Sequence, residues 1–207
     1  MAAGEPIIGA VHIYLETERL ILRRLTLDDV DHITALDADP AVMRFITDGR
    51  PTPREEIRDD YLPWWLAYYE RGDRYGFWAA IDKATGAFLG WFHLRPNPED
   101  PDDEPELGYR LVASAWGHGY ATEGSRALVD RAFEEFGARR VYASTMAANV
   151  GSWRVMEKVG MRFIRTFHYD PQDRTENEEP GDVEYAVTRE EWLGGRTPGP
   201  AGDTSGA

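Results

Sequence analysis

The chain has 207 residues, 42% of them hydrophobic and 12% aromatic, with a formal net charge of −14 and no cysteine. That length fits one domain able to bury a sizeable core. The charge makes nucleic acid a poor partner, because neutralising phosphates needs clustered Lys and Arg, and the missing cysteines exclude disulfides and thiolate chemistry and fit a reducing cytoplasm.

In chain order, residues 1–9 read as a tail, and the start MAAGEPIIGAVHIYLETERL lacks the basic n-region of a signal peptide. No run of about eighteen apolar residues occurs, so no membrane span is expected. Arg19 to Leu25 (RLILRRL) has strand character. TLDDVDHITALDAD reads as a helix, with Thr26 as N-cap and Asp28 and Asp29 in the first turn. Pro53 opens a longer helical pattern through Arg71, broken or kinked near Pro63. YGFWAAID and AFLGWFHLR flank the turn Lys83-Ala84-Thr85-Gly86 and predict a hairpin, and ELGYRLV is a third strand. A helix to about Phe136 follows, with Leu128, Val129, Ala132, Phe133 and Phe136 on its buried side. RRVYASTM is a strand, and NVGSWRVMEKVG a helix with Asn149 as N-cap and Gly160 just past its end. MRFIRTFHY and DVEYAVT close the pattern, and residues 194–207, rich in Gly and Pro, form a second tail. Residues 10–193 are then a single domain of order β-α-α-β-β-β-α-β-α-β-β. The antiparallel strands come first and a βαβ crossover sits in the middle, which predicts an α+β fold with a mixed sheet.

Much of the negative charge is local. Six acids lie in EDPDDEPE between Glu99 and Glu106, and DPQDRTENEEPGDVE follows from Asp170. Such runs serve solubility, and they can also draw in a cationic substrate. The five histidines show no metal-ligand spacing, so no metal is expected. Trp64, Trp65, Trp78 and Trp91 read as core or cleft wall, and His93 as a packed histidine.

The stretch SAWGHGYATEG, Ser114 to Gly124, joins a strand to a helix. The first four N–H groups of a helix have no intrahelical partner, and glycines let an anion approach them. A plain turn and an anion cradle both fit those two glycines. No Gly-Lys-Ser/Thr follows, so it is not a P-loop, and a dinucleotide fingerprint would need a third glycine. NVGSWRVMEKVGM, about thirty residues later, is another strand-to-helix junction. If the two strands are parallel neighbours, both polar helix starts open on one sheet edge and form a cleft.

The combination of G-x-G-Y-A-T-E with N-x-x-S-x-x-x-x-E-K-x-G-M resembles the acetyl-CoA-binding core of the GNAT acyltransferases. LETERLILRRLTLDDVDHITALDADPAVMRFI is similar to their ribosomal-protein N-terminal (Rim-type) branch. The resemblance covers roughly residues 15–193, and Ser114 stands where the family's phosphate motif usually has Gln or Arg. It implies a GNAT-like, mostly antiparallel sheet flanked by helices. It also implies an acetyl-CoA-dependent N-acetyltransferase whose acceptor is a small-molecule or peptide amine. The amides of Trp116, Gly117, His118, Gly119, Tyr120 and Ala121 would bind the pyrophosphate. An N–H near Leu111 or Val112 would polarise the thioester carbonyl. The family's usual Tyr is missing from the second helix. The resemblance to the Rim-type branch, which places a serine there near the CoA sulfur, makes Ser152 the proton donor or thiolate stabiliser, the alternative being a first-turn serine that bonds to the backbone. Asn149 would bond CoA or an ordered water, or simply cap its helix. Alternation places Glu106 with Gly108 and Arg110 on one face. Related enzymes have a carboxylate near here that faces the acceptor amine, directly or through water, so the resemblance implies Glu106 as the base, the alternative being that it only ends the acidic loop. Glu123 is a helix-start charge, and His118, between the glycines, is rejected as catalyst. Similar proteins commonly form homodimers. A non-catalytic acyl-CoA-binding module is the alternative; it would keep the glycine turn and dispense with the acid and base.

Overall fold

The computed structural model describes residues 7–8, 11–168 and 181–196. Among these, nine strands form one sheet of order β1-β2-β3-β4-β5-β6-β7-β9-β8. The first five connections are antiparallel steps between β1 (Ile7–Ile8), β2 (Val11–Glu16), β3 (Leu20–Arg24), β4 (Gly76–Asp82), β5 (Phe88–Arg95) and β6 (Glu106–Leu111). A crossover through α5 (Tyr120–Glu134) sets β7 (Arg140–Met146) parallel to β6. After α6 (Val150–Lys158), β8 (Arg162–Phe167) forms the edge, and β9 (Asp182–Thr188) returns antiparallel between β7 and β8. The mixed, mostly antiparallel sheet agrees with the α+β expectation.

The ends carry more structure than the sequence reading allowed. Ile7–Ile8 pairs with Val11 and His12, so part of the segment read as an N-terminal tail is a strand. The segment ahead of Arg19, left unassigned, supplies β2, which the Thr17–Leu20 turn folds back on β3. Gly194 and Gly195 lie inside a last helix, α7 (Arg189–Arg196), rather than in a tail. The acidic run from Asp170 lies mostly outside the described residues.

Helices cover both sheet faces. On one side pack α1 (Val30–Asp37), α2 (Pro40–Met43) and the helical stretch from α3 (Arg54–Glu56) to α4 (Leu62–Ala67). Thr26 and Asp29 form the expected capping box, although the first turn, Leu27–Asp29, is 3-10. The Pro63 break takes a specific form. A π turn over Ile57–Tyr61 precedes it, and the Leu62 N–H donates to Ile57 O. Proline has no N–H to give and its ring crowds the preceding turn; widening that turn by one residue lets the helix continue.

On the other face, α5 buries Leu128, Val129, Ala132 and Phe133. Leu128, Val129 and Phe133 each contribute about 1.5–3 kcal/mol on leaving water. Phe92, fully buried on β5, lies directly under Gly124 of α5, where an added Cβ would come within 2.5 Å of the ring. A Gly124→Ala variant should therefore lose stability by about 1–3 kcal/mol through overpacking, despite the better helix propensity of Ala. Urea denaturation should show a lower midpoint at unchanged slope.

Candidate active site

The strands β6 and β7 share one register pair, Glu106 with Tyr142, and the Tyr142 N–H donates to Pro105 O at 3.2 Å. Beyond that pair they splay apart. The gap opens a cleft of about 390 Å³ whose walls include Glu106, Tyr109, Ser144, Asn149, Ser152 and Met156. The sequence-predicted base and proton donor therefore meet at one opening. Directly paired residues share a face, so Glu106, Gly108 and Arg110 stand beside Arg95, His93 and Trp91 as alternation predicts.

Glu106 Oε1 accepts a hydrogen bond from Ser144 Oγ at 3.1 Å, and Oε2 lies 3.4 Å from Asn97 Nδ2 and 3.5 Å from an Arg95 guanidinium nitrogen. Burial pushes the Glu106 carboxyl above the usual carboxylate range, against the pull of Arg95 and the hydrogen bonds from Ser144 and Asn97. A buried carboxylate of raised pKa suits proton abstraction near neutral pH. His93 Nε2 is 3.7 Å away. His93 is packed, as expected, with its ring between Trp91 and Phe77. Burial first, then the Arg95 and Arg110 charges, hold it neutral well below the ordinary histidine range. Gly108 makes room for that ring, because any Cβ there would strike it.

Ser152 Oγ lies 3.1 Å from the hydroxyl of Tyr109, which also donates to Ser152 O at 3.0 Å. Burial drives the Tyr109 phenol up to about 12. Tyr109 is the functional residue that sequence reasoning missed. The search for a tyrosine looked along the second helix, whereas this one comes from β6, on the strand face opposite Glu106. Asn149 caps α6 as its sequence suggested, accepting from the Ser152 N–H, while its Nδ2 donates to Thr145 Oγ1 at 3.1 Å. Both ends of that side chain are thus engaged within the protein.

The glycine turn has the backbone an anion site needs. Gly117 and Gly119 take φ of +75° and +86°, and Gly119 is the N-cap of α5 with no side-chain cap. The first i to i−4 bond runs from the Glu123 N–H to Gly119 O, which leaves the preceding amides of the turn and first helical residues ahead of the ladder. Two predicted donors are corrected. The Trp116 N–H donates to Ala113 O at 3.1 Å, closing a 3-10 turn, and the Val112 N–H donates to Leu89 O at 2.9 Å, completing the β5 ladder. Antiparallel alternation then turns the amides of Leu111 and Tyr109 the other way, toward the gap.

Tyr120 and His118 point to other work. Tyr120 donates to Asp82, and the exposed His118 bonds the Trp116 carbonyl through Nδ1. Glu123 accepts from Thr17 Oγ1, the Arg19 N–H and the Arg19 guanidinium, which bolts the first turn of α5 to the β2–β3 turn. Among the described residues no group of three His, Asp or Glu side chains could hold a metal, and no helix is long and apolar enough to cross a membrane.

A family model described as an acetyltransferase (GNAT) domain matches residues 19–162. The chain belongs to this family. It is 36% identical over 185 residues to the FsC-acetyl coenzyme A-N(2)-transacetylase of Aspergillus fumigatus, covering 86% of this chain and 77% of that protein. Its fold is shared by two solved structures with coenzyme A bound. The ribosomal L7/L12 alpha-N-protein acetyltransferase RimL superposes with a TM-score of 0.70 at 18% identity, covering 86% of this chain and 98% of that one. The aminoglycoside acetyltransferase AAC(6')-Ib superposes at 0.67 and 19%, covering 86% and 99%. As a GNAT acetyltransferase, the protein is an acetyl-CoA-dependent enzyme. The glycine turn, with its left-handed glycines and uncapped helix start, fits the diphosphate of that donor.

The Glu106 environment gives a stability prediction. Its folded pKa lies above its unfolded value, so the folded state binds more protons and stability falls as pH rises from the ordinary carboxylate range through the raised value. Glu106→Gln should remove that loss. Thermal unfolding at neutral pH should give a midpoint equal to or above that of the unaltered protein, with a flatter dependence on pH.

Proposed function

We propose that Glu106 and Ser152 act as base and proton donor in direct transfer of an acetyl group from acetyl-CoA to a primary amine. The observation that carries this reading is the cleft between β6 and β7, which both residues line. The backbone of the turn from Gly117 to Ala121 holds the diphosphate and lays the thioester along the gap. The Leu111 or Tyr109 amide polarises the carbonyl as negative charge grows on its oxygen. The amine, neutral and held in place, attacks the carbonyl carbon. Its proton passes to Glu106, directly or through a water. The nitrogen–carbon bond forms, the carbon–sulfur bond breaks, and the sulfur takes a hydrogen bond from Ser152 Oγ. Tyr109 fixes the Ser152 hydroxyl in place through its hydrogen bonds to the Ser152 hydroxyl and carbonyl. The abstracted proton returns to the thiolate through that hydroxyl, which balances the reaction. Asn149 contributes by capping α6 and so placing Ser152.

Three finer assignments belong to the same proposal. The Rim-type branch rests on the Leu15–Ile46 likeness, while the relatives named above range from a ribosomal-protein acetyltransferase to enzymes of small molecules. A cytoplasmic location rests on the missing cysteines. A homodimer rests on the habit of similar proteins.

Two variants test the chemistry by thiol release. Glu106→Gln should lower kcat/KM by about 10²–10⁴-fold. In the unaltered enzyme kcat/KM should rise with pH through a pKa above the ordinary carboxylate range, in addition to the rise that follows deprotonation of the amine itself; the variant should keep only the second rise. Ser152→Ala should reduce kcat with the affinity for acetyl-CoA retained. Unchanged turnover in Ser152→Ala would remove Ser152 from the mechanism, and CoA binding without turnover in the unaltered protein would favour a non-catalytic module.

A further inference from the structure

Beyond His93 the cleft continues into a second chamber of about 210 Å³, which shares Ile46, Trp91, His93 and Arg110 with the first. Its walls are rings: Trp64, Trp65, Phe77 and Trp91. Trp64 is 46% exposed and forms the rim, while Trp65 and Trp91 are buried in the floor. An amine that reaches Glu106 in the first cleft can lay the rest of its molecule in this adjoining chamber. Among the described residues that line it there are two arginines, Arg95 and Arg110, and no carboxylate. That contrasts with a chain whose net charge is −14.

Aromatic cages often receive ammonium groups, but these ring faces are already taken. The Arg95 guanidinium lies 5.3 Å from the Trp64 ring centre and 5.7 Å from that of Phe77, and Arg110 lies 5.1 Å from that of Trp91. The nearby carboxylates are also occupied. Asp37, 1% exposed, accepts from Arg110 at 2.6 Å and from Thr52 Oγ1 at 2.7 Å. Glu106 is held by Arg95, Ser144 and Asn97 and is needed for the reacting amine. The polar atoms left without partners around the chamber are mostly donors: Trp91 Nε1, Arg95 Nε and Arg110 Nε, together with both ring nitrogens of His93. Trp91 and His93 are each more than nine-tenths buried. The acidic loop from Glu99 does not line the chamber, and three of its carboxylates are bound elsewhere. Asp100 accepts from Tyr142, and Asp103 and Glu104 pair with Arg139.

We propose that the acceptor is a monoamine with an apolar body and a carboxylate or carbonyl oxygen, and that polycationic amines are poor acceptors. The body packs among the apolar side chains of the chamber, the oxygen answers the excess of donors, and a second ammonium would meet guanidinium charge with no carboxylate among the residues that line the chamber. This rests on the acetyl transfer proposed above and narrows its acceptor.

The test measures thiol release from acetyl-CoA with L-phenylalanine, L-phenylalanine amide, phenethylamine, spermidine and kanamycin, alongside calorimetric binding of acetyl-CoA. The expected result is a kcat/KM for phenylalanine or its amide at least about tenfold above that for either polycation, with phenethylamine between. Trp64→Ala, at the half-exposed rim, should raise KM for the phenylalanine compounds about tenfold. Its affinity for acetyl-CoA should stay near that of the unaltered enzyme. Polycations acetylated as well as or better than phenylalanine would overturn the acceptor class while leaving acetyl transfer intact. An unchanged KM in Trp64→Ala, or phenethylamine equal to phenylalanine, would also overturn it. Acetyl-CoA binding with no transfer to any of the five would defeat both readings.

Discussion

A single backbone register pair, Glu106 with Tyr142, decides what this sheet can do. Had β6 and β7 stayed paired along their length, their amides would satisfy each other and the sheet would be closed. Because they part, Leu111 and Tyr109 keep N–H groups aimed at a space rather than at a strand. An unpaired backbone donor is costly when buried and useful when a substrate oxygen replaces the missing strand. The split also joins two faces that a sheet normally separates. Glu106 stands on one face of β6 and Tyr109 on the other, yet Glu106 and the Tyr109–Ser152 pair line the same cleft. The proposed base and proton donor can thus approach opposite sides of one thioester.

The electrostatics follow from how charges are spent rather than from their sum. The loop from Glu99 to Glu106 looks like a lure for cations, yet it ties the start of β7 to the sheet through Arg139, Arg140 and Tyr142. Glu106 is the exception: it ends the same acidic run but turns inward, where burial rather than neighbouring negative charge sets its proton affinity. Near the reacting centre the arginines and carboxylates come in pairs, Arg110 with Asp37 and Arg95 with Glu106.

What was legible in the sequence was local. The Thr26 cap, the hairpin at Gly86, the left-handed glycines and the Asn149 cap are written within three or four residues, and each appears in the structure. Strand alternation, also local, placed Glu106, Gly108 and Arg110 together. The losses came from partners distant in the chain. Tyr109 and Ser152 are 43 residues apart and Arg110 and Asp37 are 73 apart. The Val112 amide looked available until β5 claimed it, and the Trp116 amide until a 3-10 turn did. A hydrogen-bond donor's availability is a property of the finished fold, so no motif could announce it. β2 escaped notice because its residues form a strand only through pairing on both sides, with β1 and β3.

The π turn at Ile57–Tyr61 bears on how such an enzyme changes over evolutionary time. A π turn holds one residue more than the α turn it replaces, so everything after it is rotated by about 100° around the helix axis. Trp64 and Trp65 reach the acceptor chamber with that rotation included. Deleting one residue from the turn would swing both rings away without altering a single wall residue, and the Pro63 ring resists that deletion. A one-codon loss in this helix would therefore reshape the chamber as much as a substitution in its lining, a change that comparisons confined to aligned substitutions would overlook.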